Sequence, residues 1–493
     1  MTTTIAAPVT APGYLARFAP GAVIGAPRSF DGGGSAPGVT VLIPTYSPPG
    51  GGRTDSLGLC LSTVLAAAPA AAAFLVVDNG LSESDARAVG ALLRRTGREH
   101  HIVAAPRAPG RRYTAAQARN AGLAFLAAQP DGSALRRRLL LFLDDDTALA
   151  PGALARLQAA LDARPHAVAA CPRVVPVPDL AGWLTHRPDG ASPAAQGRPG
   201  SAPAGHAHAD PADNADSAHG SHPAGSAAPR RLAGALNGDG YDLLSVTSHG
   251  SLVTGRTVGL LVRQDAVLWW VRHRGPLFYA DTPYGSTEDM LVMALLSRLG
   301  ELWAVPAAEV VDEARKTPGA TRDQQFAWGY DHAWLARALA EAGAIPSGVN
   351  VLAWQRGAGW EEYRRADWGP YAGFLINPVE LRLGYRMLRA TTADPAVAEA
   401  MFGAHAGRVR AGTHRLGRVL RRWRASAGTA PRRPRPDLPP LGGRDWAGLR
   451  DGMDALIGHL AGNVVGSLDH GPFFLYGARQ PAGAPPPDRR PPS

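Results

Sequence analysis

The sequence predicts an α/β fold, a mostly parallel sheet flanked by helices, followed by a mainly helical C-terminal region. Three observations carry that prediction. Short β-branched runs alternate with helix-periodic segments between about residues 39 and 177, and parallel neighbours need crossovers, which are usually helices. The runs are apolar throughout, as strands covered on both faces are. From about 335 to 475 the pattern turns helical, broken by an Arg/Pro stretch near 425–440.

Residues 1–37 are Pro/Gly/Ala-rich and are expected to be a flexible leader. VTVLIPTYS (39–47) reads as a buried strand ended by Pro and Ser, and LGLCLSTVLAAA (57–68) as a helix. FLVVDNG (74–80) is a second strand closed by an Asp-Asn-Gly turn, followed by the helical SDARAVGALLRRTG (84–97). HIVAAP (101–106) is a third strand and TAAQARNAGLAFLAAQ (114–129) a third helix. LLLFLDDD (139–146) is the fourth strand, PGALARLQAALDA (151–163) a helix with proline in its first turn, and AVAACPRVVPV (167–177) the fifth strand.

Residues 187–231 hold almost no large apolar side chain and are expected to be a low-complexity disordered insert. His206, His208, His219 and His222 lie there among Ala, Gly and Asp, as a solvated tract rather than a metal site. Structure is expected to resume near Leu236, through SLVTGRTVGLLVRQDAVLWWV (251–271), TEDMLVMALLSRLG (287–300) and LWAVPAAEVV (302–311). The implied organisation is 38–186 and 232–335 as two halves of one sheet domain, 336–479 as a helical region and 480–493 as a disordered tail.

Bulk properties bound the function. The net charge of +10 is almost wholly arginine, since Lys316 is the only lysine, and reads as coding bias rather than a nucleic-acid footprint. Basic residues cluster in 408–436, where peripheral contact with an anionic lipid or polymer is one reading and a solvated helix face the other. Cys60 and Cys171 are too few for a disulfide scaffold or a cysteine zinc site. No secretory signal pattern and no unbroken run of apolar residues long enough to span a bilayer is found, so the expected compartment is the cytoplasm.

The chemistry concentrates in Asp144-Asp145-Asp146. Three adjacent carboxylates at a strand end repel one another unless a cation sits among them. Acids two apart at such a break can share a pocket, and a hard ion such as Mg²⁺ or Mn²⁺ takes carboxylate oxygens while keeping positions open for phosphate. The competing reading is a turn with a helix cap. An aspartate-nucleophile phosphatase expects Thr or Val where Ala148 stands.

The order VTVLIPTYS, FLVVDNG, AQARNAGL, LLLFLDDDTAL and STEDM resembles the family 2, GT-A fold glycosyltransferases over roughly residues 39–335, the insert excepted. The resemblance implies a nucleotide-diphosphate sugar donor, usually UDP-linked, and a divalent metal. It implies donor contacts from Pro44, Thr45, Tyr46, Asp78, Arg119, Asn120, Asp144 and Asp145, with Asp146 and Asp144 as metal ligands. Strand-end packing for Tyr46, a turn role for Asp78 and a helix-surface role for Arg119 are the plainer alternatives. Asp289, beside Glu288, matches the family's general base, although acids in a first helical turn also suit the helix dipole. Gly259, Trp269, Trp270, Tyr284 and Trp328, with Tyr279, are candidates for the acceptor side or for the core.

Two departures from the family matter. Asp312, in AEVVDEARKT, stands where a metal-binding His is common, with Glu313 as the other candidate. Ala327, in DQQFAWGY, replaces the Arg of processive synthases, so single-sugar transfer is expected. The implied reaction is inverting transfer to a small-molecule hydroxyl, as in secondary (antibiotic) metabolism. Transfer to a polysaccharide or lipid-linked precursor, nucleotidyl transfer through the Gly-rich PPGGGRTD (48–55), and a non-catalytic scaffold are the alternatives.

Overall fold

The computed structural model describes residues 11–15, 17, 30, 36–47, 53–67, 72–106, 114–177, 179–185, 230–231, 257–285, 288–313, 318–341, 378–426 and 446–470. The expected insert up to 229, the resumption near Leu236, the Gly-rich stretch 48–52, the Arg/Pro segment beyond 426 and the tail 480–493 lie outside these residues.

The strands are β1 (Ala36–Thr45), β2 (Ala72–Asp78), β3 (His100–Ala104), β4 (Arg137–Phe142), β5 (Thr147–Leu149), β6 (Ala167–Val177), β7 (Arg230–Arg231), β8 (Leu261–Arg263) and β9 (Glu301–Glu313). They form one nine-stranded sheet ordered β3-β2-β1-β4-β8-β6-β9-β5, with β7 on β9. From β3 to β4 the pairing is parallel, as expected. Beyond β4 the sheet becomes mixed. The short β8 runs antiparallel to both β4 and β6, and β5 antiparallel to β9. In the first half each strand reaches the next through a helix, which returns the chain to the same end of the sheet; β4 instead passes to β5 through residues 143–146 with no helix between.

The helices are α1 (Ala11–Leu15), α2 (Arg53–Ala67), α3 (Glu83–Arg95), α4 (Ala115–Ala128), α5 (Ala153–Asp162), α6 (Leu180–Thr185), α7 (Gln264–Arg274), α8 (Glu288–Ser297), α9 (Pro318–Glu341), α10 (Pro378–Ala393), α11 (Pro395–Phe402), α12 (Ala406–Ser426) and α13 (Trp446–His470). Alternate strand residues build a core on each face of the sheet. Leu42, Leu75, Val77, Leu140 and Phe142 pack with Leu123 and Leu126 of α4, and with α7 and α8. Val41, Ile43, Phe74, Val76 and Leu141 pack with Leu57 and Leu61 of α2, Leu93 of α3 and Leu157 of α5. A separate core joins Phe326, Leu388, Val409, Leu416, Leu460 and Val464 in the helical region. No described helix is long and apolar enough to cross a membrane.

Two sequence expectations are corrected. The leader is not loose at α1, where Tyr14 and Leu15 are buried and the Tyr14 hydroxyl donates to the Leu277 carbonyl at 2.6 Å. Two large apolar side chains in a small-residue stretch suffice to tether it. The insert boundary also shifts, since Arg230–Arg231 pair antiparallel with Ala304 and Trp303 of β9.

Candidate active site

Parallel pairing brings the C-terminal ends of β1, β2 and β4 to one edge, with Thr45 opposite Asp78. Ligands gather at such an edge in open α/β sheets. After Phe142 the chain leaves the strand, so the aspartates occupy a turn before β5. Their side chains divide. Asp145 turns inward, 4% exposed, and accepts a 2.6 Å hydrogen bond from the Thr45 hydroxyl, itself buried. Asp144 and Asp146 stay half-buried on either side of it. The Asp144 carbonyl accepts from the Thr147 hydroxyl at 2.7 Å and from the Cys60 thiol at 3.6 Å, which pins the turn.

Helix α4 begins in a capping box, Thr114 with Gln117, and presents Arg119 beneath this turn. Arg119 is 2% exposed. Its Nη2 donates to Asp144 Oδ1 at 2.6 Å, and its Nη1 lies 3.6 Å from Glu288 Oε1 and 3.9 Å from Asp289 Oδ1. The guanidinium sits over the Phe278 ring, 5.5 Å from its centroid. Burial opposes its charge, but the three carboxylates outweigh burial and hold its pKa above the ordinary arginine value. One buried cation thus ties the acid at the end of β4 to the two acids opening α8.

Those two acids differ. Burial, then the neighbouring Asp289, pushes Glu288 up to about 8 against the pull of Arg119, so its carboxyl keeps a proton near neutrality. The Asp289 side chain is the more exposed of the two, 35% against 12%, and accepts a hydrogen bond from the Thr257 hydroxyl. Thr257 is fully buried and was not singled out in the sequence. Nothing local in GRTVG marks it, because its partner lies 32 residues away.

Other expected contacts are placed differently. Pro44 is buried within β1, so it does not open on the edge, whereas Tyr46 just beyond is 42% exposed. Asp78 Oδ1 accepts from the N–H groups of Gly80 and Leu81 at 2.8 and 2.7 Å, the turn alternative for this residue, and Gly80 takes a φ of 116° there. Asn120 gives both ends of its amide to the Phe278 backbone, at 2.7 and 2.9 Å, rather than to the edge. Arg119 is too buried for the expected surface or phosphate role, and its charge is spent on carboxylates.

The aromatic candidates are mostly structural. Trp270 is fully buried, with its indole N–H on the Pro276 carbonyl, and Trp269 stacks on His273 at 5.0 Å. Tyr279 is 3% exposed and stacks on Trp334. Tyr284 joins the helical region through Phe326 and Tyr330, and its N–H donates to Asp331. Trp328 is half-buried on α9. Gly259 is conformational, with φ 75° and a position where a Cβ would lie 2.5 Å from Val310. Large apolar side chains beside a catalytic motif look alike in sequence whether they line a cleft or a core.

For a metal, the register sets Asp312 opposite Thr147, one residue from Asp146, whose carbonyl accepts from the Glu313 N–H at 3.1 Å. Glu313 Oε1 accepts from the Leu180 N–H at the start of α6. Among the described residues no three His, Cys, Asp or Glu side chains cluster as a metal-binding group. Asp144 and Asp146, half-buried at the turn, supply oxygen donors of the kind magnesium takes when it binds through one or two carboxylates and fills its other positions from water and phosphate.

No family model matches the chain, and no curated protein does. Solved structures do match. The mannosyltransferase PcManGT from Pyrobaculum calidifontis, in complex with GDP-Man and Mn2+, is 15% identical over 92% of this chain and 94% of that one, at a TM-score of 0.39. Residues 1–349 of TarS from S. aureus are 12% identical over 79% of this chain and 88% of that one, at a TM-score of 0.34. The same protein in complex with UDP-GlcNAc gives a TM-score of 0.32, with 12% identity over 79% and 88%. These values are too low to carry an inference from those proteins to this one.

Proposed function

We propose that the chain is an inverting glycosyltransferase that moves one sugar from a nucleotide-diphosphate sugar, UDP-linked in the first instance, to a hydroxyl of a small-molecule acceptor. The observation that supports this best is the Arg119 cluster, which joins the Asp144 turn to Glu288 and Asp289 across the sheet edge. Asp289 takes the proton of the acceptor hydroxyl as its oxygen attacks the anomeric carbon. The new C–O bond forms as the bond to phosphate breaks, and the electron pair leaves with the nucleotide diphosphate. Glu288 beside it, raised by burial, keeps its proton near neutrality and adds no second negative charge. Thr257 fixes the orientation of the Asp289 carboxylate. Tyr46 offers an exposed ring at the donor end. Asp144 and Asp146, with Asp312 as the third candidate, would hold a Mg²⁺ or Mn²⁺ ion, which would neutralise charge on the departing diphosphate.

Release of UDP from UDP-sugars in the presence of Mn²⁺ tests this. Asp289→Asn is expected to lower turnover by about 10²- to 10⁴-fold while UDP still binds. Release of pyrophosphate instead of UDP, or undiminished turnover in the variant, overturns the proposal.

A further inference from the structure

The basic residues of α12 form an organised face. Arg410, His414, Arg418 and Arg421 are all exposed and recur at i, i+4, i+8 and i+11, a single stripe about 16 Å long at 1.5 Å per residue. The opposite side of α12 is used up: Val409 and Leu416 enter the helical core, and Gly412 lies against Val464 of α13. The helix contains no acidic residue. Arg408 points away from the stripe and pairs with Asp469. Arg410, Arg418 and Arg421 form no ion pair with another described residue.

The neighbouring helix extends the face. Tyr385 of α10 packs against Gly417 of α12, and the residues flanking it on the outer side, Arg386 and Arg389, are exposed. Clustering like charges on two packed helices is unfavourable in isolation, so the surface is electrostatically complementary to a dense array of negative charge. It has no exposed large aromatic among its described residues, whereas single-stranded nucleic acid is held by bases stacked on aromatic side chains. Among its described residues no large apolar side chain is exposed either, so contact would be electrostatic and superficial rather than inserted.

We propose that this face of α10 and α12 docks the protein on an anionic lipid surface. Guanidinium groups pair with headgroup phosphates, and attachment is reversible and weakened by salt. The proposal does not depend on the transfer chemistry and holds whichever acceptor is used.

Sedimentation of the full chain with vesicles tests it. Binding is expected to vesicles of phosphatidylcholine containing about one part in three phosphatidylglycerol, and not to phosphatidylcholine alone. Arg410→Glu, Arg418→Glu and Arg421→Glu together should weaken partitioning by at least about tenfold. An equal reversal on the sheet domain, at Arg94, Arg95 and Arg156, controls for overall charge and should cost far less. Unchanged melting of both triple variants shows that folding is intact. If the α12 variant melts early, screening by added salt replaces it, and binding that resists salt counts against the proposal. Equal losses in the two variants, binding to neutral vesicles, or binding to a soluble polyanion but not to vesicles would each overturn it.

Discussion

At the scale of the residue, the site turns on one buried guanidinium. Arg119 meets Asp144, Glu288 and Asp289, so it acts through carboxylates and not on a ligand. Its burial makes it a positioning residue with high stakes, since removing one partner from a buried charge cluster strands the others. Thr257 is a subtler test. Thr257→Val keeps the shape and removes the hydroxyl that orients Asp289. Turnover should fall by about 10- to 100-fold with KM nearly unchanged, the signature of misalignment rather than weaker binding. A parallel rise in KM, or full activity, contradicts the assigned role. The Asp triplet and Glu288-Asp289 were legible because each is a local pattern at a strand end or helix start. The Thr257 hydroxyl and the Asn120 clamp on Phe278 were not, since their partners are 32 and 158 residues distant.

At the scale of the element, helices α9 and α13 approach backbone to backbone. Gly458, Gly462 and Gly466 recur every fourth residue on one ridge of α13. A Cβ added to Gly462 would stand 2.0 Å from the Phe326 carbonyl oxygen, and one added to Gly329 would stand 1.9 Å from that of His459. Gly462→Ala must therefore push the helices apart, and a loss of about 1–3 kcal/mol is expected, read as a lower midpoint in urea. An unchanged midpoint would show that this crossing contributes little. The ridge was not singled out in the sequence, because propensity alone marks glycine as a helix weakness and nothing local names the facing helix. Strand identity was legible from apolar runs, whereas the mixed second half of the sheet was not. β8 is three residues long and continues directly into α7, leaving too short a run for periodicity to register.

At the scale of the whole molecule, the proton on Glu288 links the site to stability. Its folded pKa stands near 8, above an ordinary carboxylate value of 4.5. Between those values the folded chain holds a proton that the unfolded chain has released, so stability falls as pH rises through that window. Glu288→Gln mimics the protonated form. Its melting temperature should gain on the natural chain's between pH 5 and pH 8.5, values that bracket most of this window. A constant difference at both pH values would mean that Glu288 is ionised throughout.

The turn after β4 supplies one acid group and the first turn of α8 the other, and the central claim is that they frame a donor cleft. Isothermal calorimetry of UDP, with and without Mn²⁺, on the natural chain and on Asp146→Ala measures this directly. The expected result is UDP binding that strengthens with the ion and loses that gain in the variant. No UDP binding, or an ion effect that survives the substitution, would contradict the account.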